Sequence, residues 1–331
     1  MTEPVAIRRL LSVGSILADI RIEVPSLPPR GGDVLGSTAI VTAGGGFNIL
    51  AAAARQGLPT LFAGRHGHGP YGTRIRQELA HEGIATLLPP SEDADSGVCV
   101  VLVEPDGERT FVTSPGVEAS LGPRELYQVP LAAGDAVFVS GYDLCYPELG
   151  PAIGGWVATM PAGIRLVVDP GPLAAEIPPG ILDEVMLRTS IWTMNRREAL
   201  LLADSSDIAE VARRILPRLS PGALLIVRDG AAGAHLCSTT FSPDSIPAPS
   251  VAAIDSTGAG DTHTGVLVAS LACGLDPVAA VRRANAAAAL SVTRRGPATA
   301  PNREELDRFF VANADQFPST RARSLHDGDQ N

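Results

Sequence analysis

From Ile254 the chain reads Asp255-Ser256-Thr257-Gly258-Ala259-Gly260-Asp261: a β-branched strand end, a small-residue turn, then an apolar stretch. As a strand, turn and helix, this places a carboxylate on the first helical turn. Gly258, Ala259 and Gly260 let the backbone fold tightly, so successive N–H groups at a helix N-terminus face an anion with little side chain in the way. Asp261 lies beside that anion, where a carboxylate takes the proton from an attacking hydroxyl while amides hold the developing charge. The combination suits phosphoryl transfer. The same residues also make an ordinary helix start, in which the macrodipole favours an early Asp, and the segment alone leaves both readings open.

The chain lacks lysine: all 26 of its Lys/Arg positions are arginine. A P-loop kinase or ATPase needs a lysine to reach the transferred phosphate. Schiff-base aldolases and pyridoxal phosphate enzymes need a lysine amine. All three classes are excluded, so any phosphoryl transfer here rests on backbone amides, arginine and a metal ion. A nicotinamide dehydrogenase is also disfavoured, because Gly14-Ser15-Ile16 breaks the GxGxxG pattern after the first strand.

With 331 residues, 45% hydrophobic and 19% charged, the chain has a globular composition. Its net charge of −10 argues against a nucleic-acid surface, so an anionic substrate must meet a local pocket. Cys99, Cys145, Cys237 and Cys273 are far apart without CxxC spacing, which reads as reduced thiols in a cytoplasmic protein. His66, His68, His81, His235 and His326 show no metal-ligand spacing. The apolar run after Gly265 is interrupted by Asp276, Arg282 and Arg283, so no membrane span is expected.

Apolar strand-like runs alternate with helix-like segments: Leu10 to Ile16, Phe47 to Gln56, Leu61 to Gly64, Tyr71 to Glu82, Ala136 to Ser140, Leu166 to Asp169, and Leu224 to Arg228. This is the rhythm of a parallel α/β sheet. Runs such as Leu166-Val167-Val168 are continuously hydrophobic, which implies helices on both faces. Two regions depart from the rhythm, Asp19 to Ala43 and Val98 to Thr113; in the second, Pro105-Asp106-Gly107-Glu108 marks a hairpin turn. Strands of this kind would form a small sheet over one end of the main domain and exclude water from a phosphoryl donor. Thr239 to Ser250 reads as a loop, and the polar stretch after Asn313 as a flexible tail.

Taken together, these segments resemble the ribokinase-like (PfkB) family of carbohydrate and nucleoside kinases. Two stretches carry the resemblance: Ala43-Gly44-Gly45-Gly46-Phe47-Asn48, with Gly64-Arg65-His66-Gly67 after its Ala-rich helix, and Asp255 to Asp261. The likeness runs from about residue 10 to 312. It implies a doubly wound, mostly parallel central sheet covered by helices on both faces, with a small β-sheet lid. Residues 1–312 would form the kinase domain, with lid segments at about 19–43 and 98–113, and residues 313–331 the tail.

The resemblance also implies roles. Asp261 becomes the general base, and the amides of Gly258, Ala259 and Gly260 the anion hole. Gly44, Gly45 and Asn48 contact sugar hydroxyls, and Asp19, read as the end of the first strand, binds two neighbouring hydroxyls, which suits a bidentate acceptor. Asn195 and Glu198 match an NxxE motif that organises Mg²⁺ near the phosphates of ATP; the same pair also reads as a helix cap. Arg228 and Gly230 occupy the strand end and turn beneath the nucleotide, and Asn285 lies near its adenine or ribose. Asp255 and Thr257, with backbone from 294–296, resemble a K⁺ loop. A homodimer through the lid strands is implied.

The chain departs from the family at His263, where a Phe is usual; helix capping, packing against the hairpin and a substrate contact are the alternatives. A nucleoside acceptor is the second reading, with Phe47 or Phe111 as the stacking partner, and a non-catalytic sugar-binding protein the third. Arg65 and Arg109 are candidates for a cation facing an acceptor that already carries phosphate.

Overall fold

The structure is a computed structural model that describes residues 5–241 and 244–317. Its strands are β1 (Arg9–Ser12), β2 (Ala18–Glu23), β3 (Thr38–Ala43), β4 (Thr60–Phe62), β5 (Ala85–Thr86), β6 (Val98–Val103), β7 (Arg109–Ser114), β8 (Asp135–Ser140), β9 (Arg165–Asp169), β10 (Thr189–Asn195), β11 (Leu224–Arg228), β12 (Ala234–Ser238) and β13 (Asp244–Ile246). Nine form one sheet in the order β13-β12-β11-β10-β9-β8-β1-β4-β5. From β11 to β5 every pairing is parallel, while β12 and β13 add an antiparallel edge.

The continuous apolar strands are buried on both faces, as their composition requires. In β9, Leu166 and Val168 enter one core layer and Val167 the other; in β11, Leu225 and Val227 enter the first and Ile226 the second. Parallel neighbours need crossover helices, supplied between β8 and β11 by Leu149–Ala158, Pro179–Arg188, Arg196–Ala203 and Ile208–Ile215. Among the described residues, no helix is long and apolar enough to cross a membrane.

The remaining strands form a four-stranded sheet in the order β3-β2-β6-β7. The hairpin expected around Pro105 to Glu108 joins β6 and β7, and β2 pairs parallel with β6 and antiparallel with β3. Four sequence expectations change. Ile254 does not end a strand, because no strand lies between β13 and the helix that begins at Ala259. The first strand ends at Ser12, and Asp19 lies on β2 of the small sheet. The stretch from Thr239 to Ser250 contains the edge strand β13, whose Ser245 and Ile246 complete the ladder with β12 despite a Pro/Ser-rich context. Of the tail, residues 314–316 form a 3₁₀ turn and the Phe317 ring packs 4.3 Å from that of Phe310; residues 318–331 lie outside the described residues.

Candidate active site

The carboxyl ends of parallel strands are where open α/β sheets hold ligands. Asp169 ends β9, Asn195 ends β10 and Arg228 ends β11. Arg228 lies between two acids, its Nη2 2.9 Å from Asp169 Oδ2 and 3.5 Å from Glu198 Oε2, with the side chain only 12% exposed. Burial works against the guanidinium's charge, but Asp169, Glu198 and Asp261 outweigh it and hold the group above its usual value. Burial and then the charge of Asp169 push the Glu198 carboxyl up. Asn195 and Glu198 form the helix cap: Glu198 N–H donates to Asn195 Oδ1 at 2.9 Å, while Asn195 N–H and Nδ2 donate to the Glu198 carboxylate at 2.7 Å each.

Beside this cluster the catalytic-type turn meets the helix Ala259–Ala272. Gly258 has φ +72°, and a Cβ there would lie 1.9 Å from the Pro297 carbonyl, so only glycine fits. The Ala259 amide turns back to the Ser256 carbonyl at 3.3 Å, and Thr262 N–H reaches the Gly258 carbonyl at 2.8 Å. The Gly260 and Asp261 amides make no hydrogen bond among the described residues, as helix N-termini require. Of the three amides expected to face an anion, that of Ala259 is engaged at Ser256, while those of Gly258 and Gly260 stay free among the described residues, as does that of Asp261.

Asp261 accepts a hydrogen bond from Asn48 Nδ2 at 3.0 Å, and Asn48 Oδ1 is buried without a partner. Burial pushes the Asp261 carboxyl up to about 6, with Asp169 adding and Asn48 and Arg228 restraining. Asp19 is pushed up to about 7 by burial, then by the charges of Asp261 and Glu78. Gly44 makes room for it, since a Cβ there would fall 2.1 Å from Asp19 Oδ2. The two signature stretches, over 200 residues apart in sequence, therefore meet in one acidic cluster with Asp19 of β2.

On the other side of the turn a cleft of about 440 Å³ is lined by Asn195, Arg228, Gly230, Gly260, His263 and Asn285, with Ala288, Ala289 and Val292 on an apolar wall. Asn285 Nδ2 donates to the Ile246 and Pro247 carbonyls at 2.8 and 3.4 Å, which ties down the chain leaving β13. The His263 side chain makes no cap hydrogen bond at the start of the helix Ala259–Ala272. It sits in the cleft wall, 3% exposed, beside Asn285. Burial and then Arg228 push its pKa down to about 3, so it is neutral.

Other candidates lie elsewhere. Phe47 is buried in the core at 2% exposure and offers no stacking face. Arg65 is held by Ser91, Asp93 and Ser120, and Arg109 by the loop at Ser256 and Thr257, so neither faces the acceptor pocket. Sequence reasoning missed Asp169 and Tyr142. Burial, then the charges of Cys99, Glu198, Asp261 and Asp169, push the Tyr142 hydroxyl up to about 12, which places it beside the site. Asp169 ends β9 and Tyr142 follows the carboxyl end of β8, and that position was the available signal.

Residues 7–305 match the profile described as pfkB family carbohydrate kinase. The Escherichia coli (strain K12) protein named Uncharacterized sugar kinase YegV is 34% identical over 90% of this chain and 92% of its own. Among solved structures, ribokinase from Thermotoga maritima overlays with a TM-score of 0.79 at 23% identity, covering 92% of this chain and all of that one. Arabidopsis thaliana ribokinase, solved with ribose and ATP, gives 0.73 at 22% identity over 92% of this chain and 98% of its own. A matched profile spanning nearly the whole chain, over the fold that carries this acidic cluster and cleft, decides the assignment: the chain belongs to the pfkB family of carbohydrate kinases.

Proposed function

We propose that this ATP-dependent carbohydrate kinase phosphorylates a hydroxymethyl group of a neutral, polyhydroxyl acceptor, with Asp261 as the general base. The observation that carries the reading is the convergence of Asp261, Asn48 and Asp19 on one pocket, directly against the free amides of Gly260 and Asp261. Asp19 receives two neighbouring hydroxyls, and the unpartnered Asn48 Oδ1 accepts a third. Asp261 takes the hydroxyl proton as the oxygen bonds to the γ-phosphorus and the bridging bond to ADP breaks. The amides and Arg228 hold the charge on the transferring group. The nucleotide occupies the 440 Å³ cleft, its base against Ala288, Ala289 and Val292.

Among the described residues no group of three or more His, Cys, Asp or Glu forms a metal cage. Mg²⁺ needs none, because it binds through one or two carboxylates and the phosphates of the nucleotide while keeping several waters. Glu198 and Asp169 are hard donors of that kind at the nucleotide end of the site, and they would hold it. When bound, the ion neutralises charge on the donor phosphates.

Asp19, Asp261 and Glu78 make the acceptor pocket acidic, which favours an uncharged acceptor over a sugar phosphate. A nucleoside remains the second reading, because Phe111 is 56% exposed on the face of the lid that carries Asp19. An ADP-release assay against neutral sugars, sugar phosphates and nucleosides tests both; turnover only with phosphorylated acceptors would refute the neutral-acceptor reading. Asp19→Asn loses part of two charge-assisted bonds and is expected to raise acceptor KM about 10²-fold with a smaller change in kcat. An unchanged KM would remove Asp19 from the pocket.

Strand alternation puts Val41 and Val112, 36% and 61% exposed, on the opposite face of the lid. This apolar face supports a homodimer through the lid. Light scattering is expected to give twice the chain mass of 34.2 kDa, and Val112→Glu to return it to one. A wild-type chain at the single mass would exclude the dimer. The four cysteines are free and widely placed, which supports a reducing, cytoplasmic setting.

A further inference from the structure

The loop that opens the catalytic turn carries a carboxylate whose oxygens are already engaged. Asp255 Oδ1 accepts from Thr257 N–H at 2.9 Å and from Thr257 Oγ1 at 2.6 Å, and Oδ2 accepts from Gly296 N–H at 3.1 Å. Although burial pushes it up, the bonds from Thr257 and Gly296, with Arg21 nearby, hold Asp255 below the usual carboxylate value. The group is therefore an anion, and its side chain is 10% exposed. Two lid cations face it. Arg21 of β2 brings Nη1 to 3.5 Å from Oδ2, and Arg109 of β7 brings Nη1 to 3.7 Å from Oδ1. Arg109 also hydrogen-bonds Thr257 Oγ1 through Nη1, and Ser256 Oγ through Nη2 at 3.1 Å.

A K⁺ ion on this loop does not fit these residues. It would have to compete for Asp255 with two guanidiniums whose charge is fixed, and for the Thr257 hydroxyl oxygen with the Arg109 hydrogen bond. We infer that Arg109, assisted by Arg21, is the resident cation of the Asp255 to Gly258 loop: a positioning residue that holds the anion-hole turn in shape when the lid is down and makes monovalent cations dispensable. The strand that carries Arg21 also carries Asp19, so the side chains that receive the acceptor and those that brace the turn move as one body. Lid closure over the acceptor and completion of the anion hole become one event. This inference rests on the reading of Gly260 and Asp261 as the phosphoryl site.

The test has two arms at constant ionic strength, with tetramethylammonium chloride as the inert salt. In the first, thermal unfolding without substrates needs no turnover, so its outcome is separate from that of the kinase reading. Exchange of the inert salt for KCl is expected to leave the wild-type Tm within about 1 °C and to raise that of Arg21→Ala/Arg109→Ala by about 2 °C or more, because only the emptied loop binds K⁺. In the second, wild-type kcat is expected to change less than about twofold with K⁺, while Arg109→Ala loses about tenfold in kcat with a smaller change in both KM values. Millimolar guanidinium, which no purely structural defect would answer to, restores part of that loss. A wild-type Tm or kcat that responds to K⁺, an Arg109→Ala kcat near wild type, or a loss that neither guanidinium nor K⁺ repairs would overturn the inference.

Discussion

Asp261→Asn is expected to lower kcat by about 10³-fold, within the range that a positioned general base supplies, with acceptor KM changed by less than about fivefold. Asparagine is the informative replacement, because its side-chain oxygen still accepts from Asn48 Nδ2 and only the proton-accepting charge is lost. Wild-type kcat/KM reports the free enzyme, in which Asp19 and Asp261 titrate near 7 and 6. Both are required as carboxylates, so kcat/KM falls about tenfold per pH unit just below 7 and more steeply below 6, the two values belonging to the pair. In Asp261→Asn the charge that raises Asp19 is gone, so the acceptor-binding titration moves to lower pH. Stability moves the other way. Both carboxyls are raised above the ordinary 3.8, so their ionisation opposes folding as pH rises from about 4 through their folded values. The variant is therefore more stable than wild type at pH 8, by on the order of 1 kcal/mol or more, and equal to it at pH 4. A kcat within tenfold of wild type would remove Asp261 as the base.

The parallel sheet was legible because runs such as Leu166 to Val168 leave no polar face, and a strand with no polar face must be covered twice. The turn at Gly258 was legible because its glycines are demanded by the backbone itself, through a positive φ and the Pro297 carbonyl. Local chemistry of that kind survives in one dimension. The hairpin of β6 and β7 was also readable, since a Pro-Asp-Gly turn fixes its own register.

What failed to show was what depends on distant partners. Asp19 was read as the end of the first strand, because nothing local reveals that the chain changes sheets between Ser12 and Ala18. β13 was read as loop because its three residues gain their strand identity only from pairing with β12. Arg109 looked like a possible substrate cation until the fold brought it against Ser256 and Thr257, nearly 150 residues away. Asp169 closes an apolar strand and looks like any strand end; only the sheet order, which seats β9, β10 and β11 side by side, makes it the partner of Arg228.

That partnership sets the second large effect, on fold and activity together. Arg228→Leu leaves Asp169 and Glu198 facing each other with no counter-charge in a site whose side chains are 14% and 6% exposed. Breaking a buried ion cluster from one side costs about 3–5 kcal/mol, because the remaining charges are left uncompensated. Loss of the guanidinium raises further the Glu198 carboxyl, already pushed up by burial and then by Asp169, so its ionisation opposes folding and the destabilisation grows with pH. Urea unfolding is therefore expected to show the full deficit at pH 8 and a much smaller one at pH 5; an equal deficit at both would place the cost in packing rather than charge. Activity separates the electrostatic role from the structural one. Arg228→Lys keeps the charge, and as the chain's sole lysine it is expected to recover stability to within about 1 kcal/mol. An ammonium lacks the planar fork, however, and cannot span Asp169, Glu198 and a phosphate oxygen together, so kcat stays about 10-fold or more below wild type. A lysine variant with full turnover would show that only the charge at this position matters, and would remove the guanidinium from the transferring phosphoryl group.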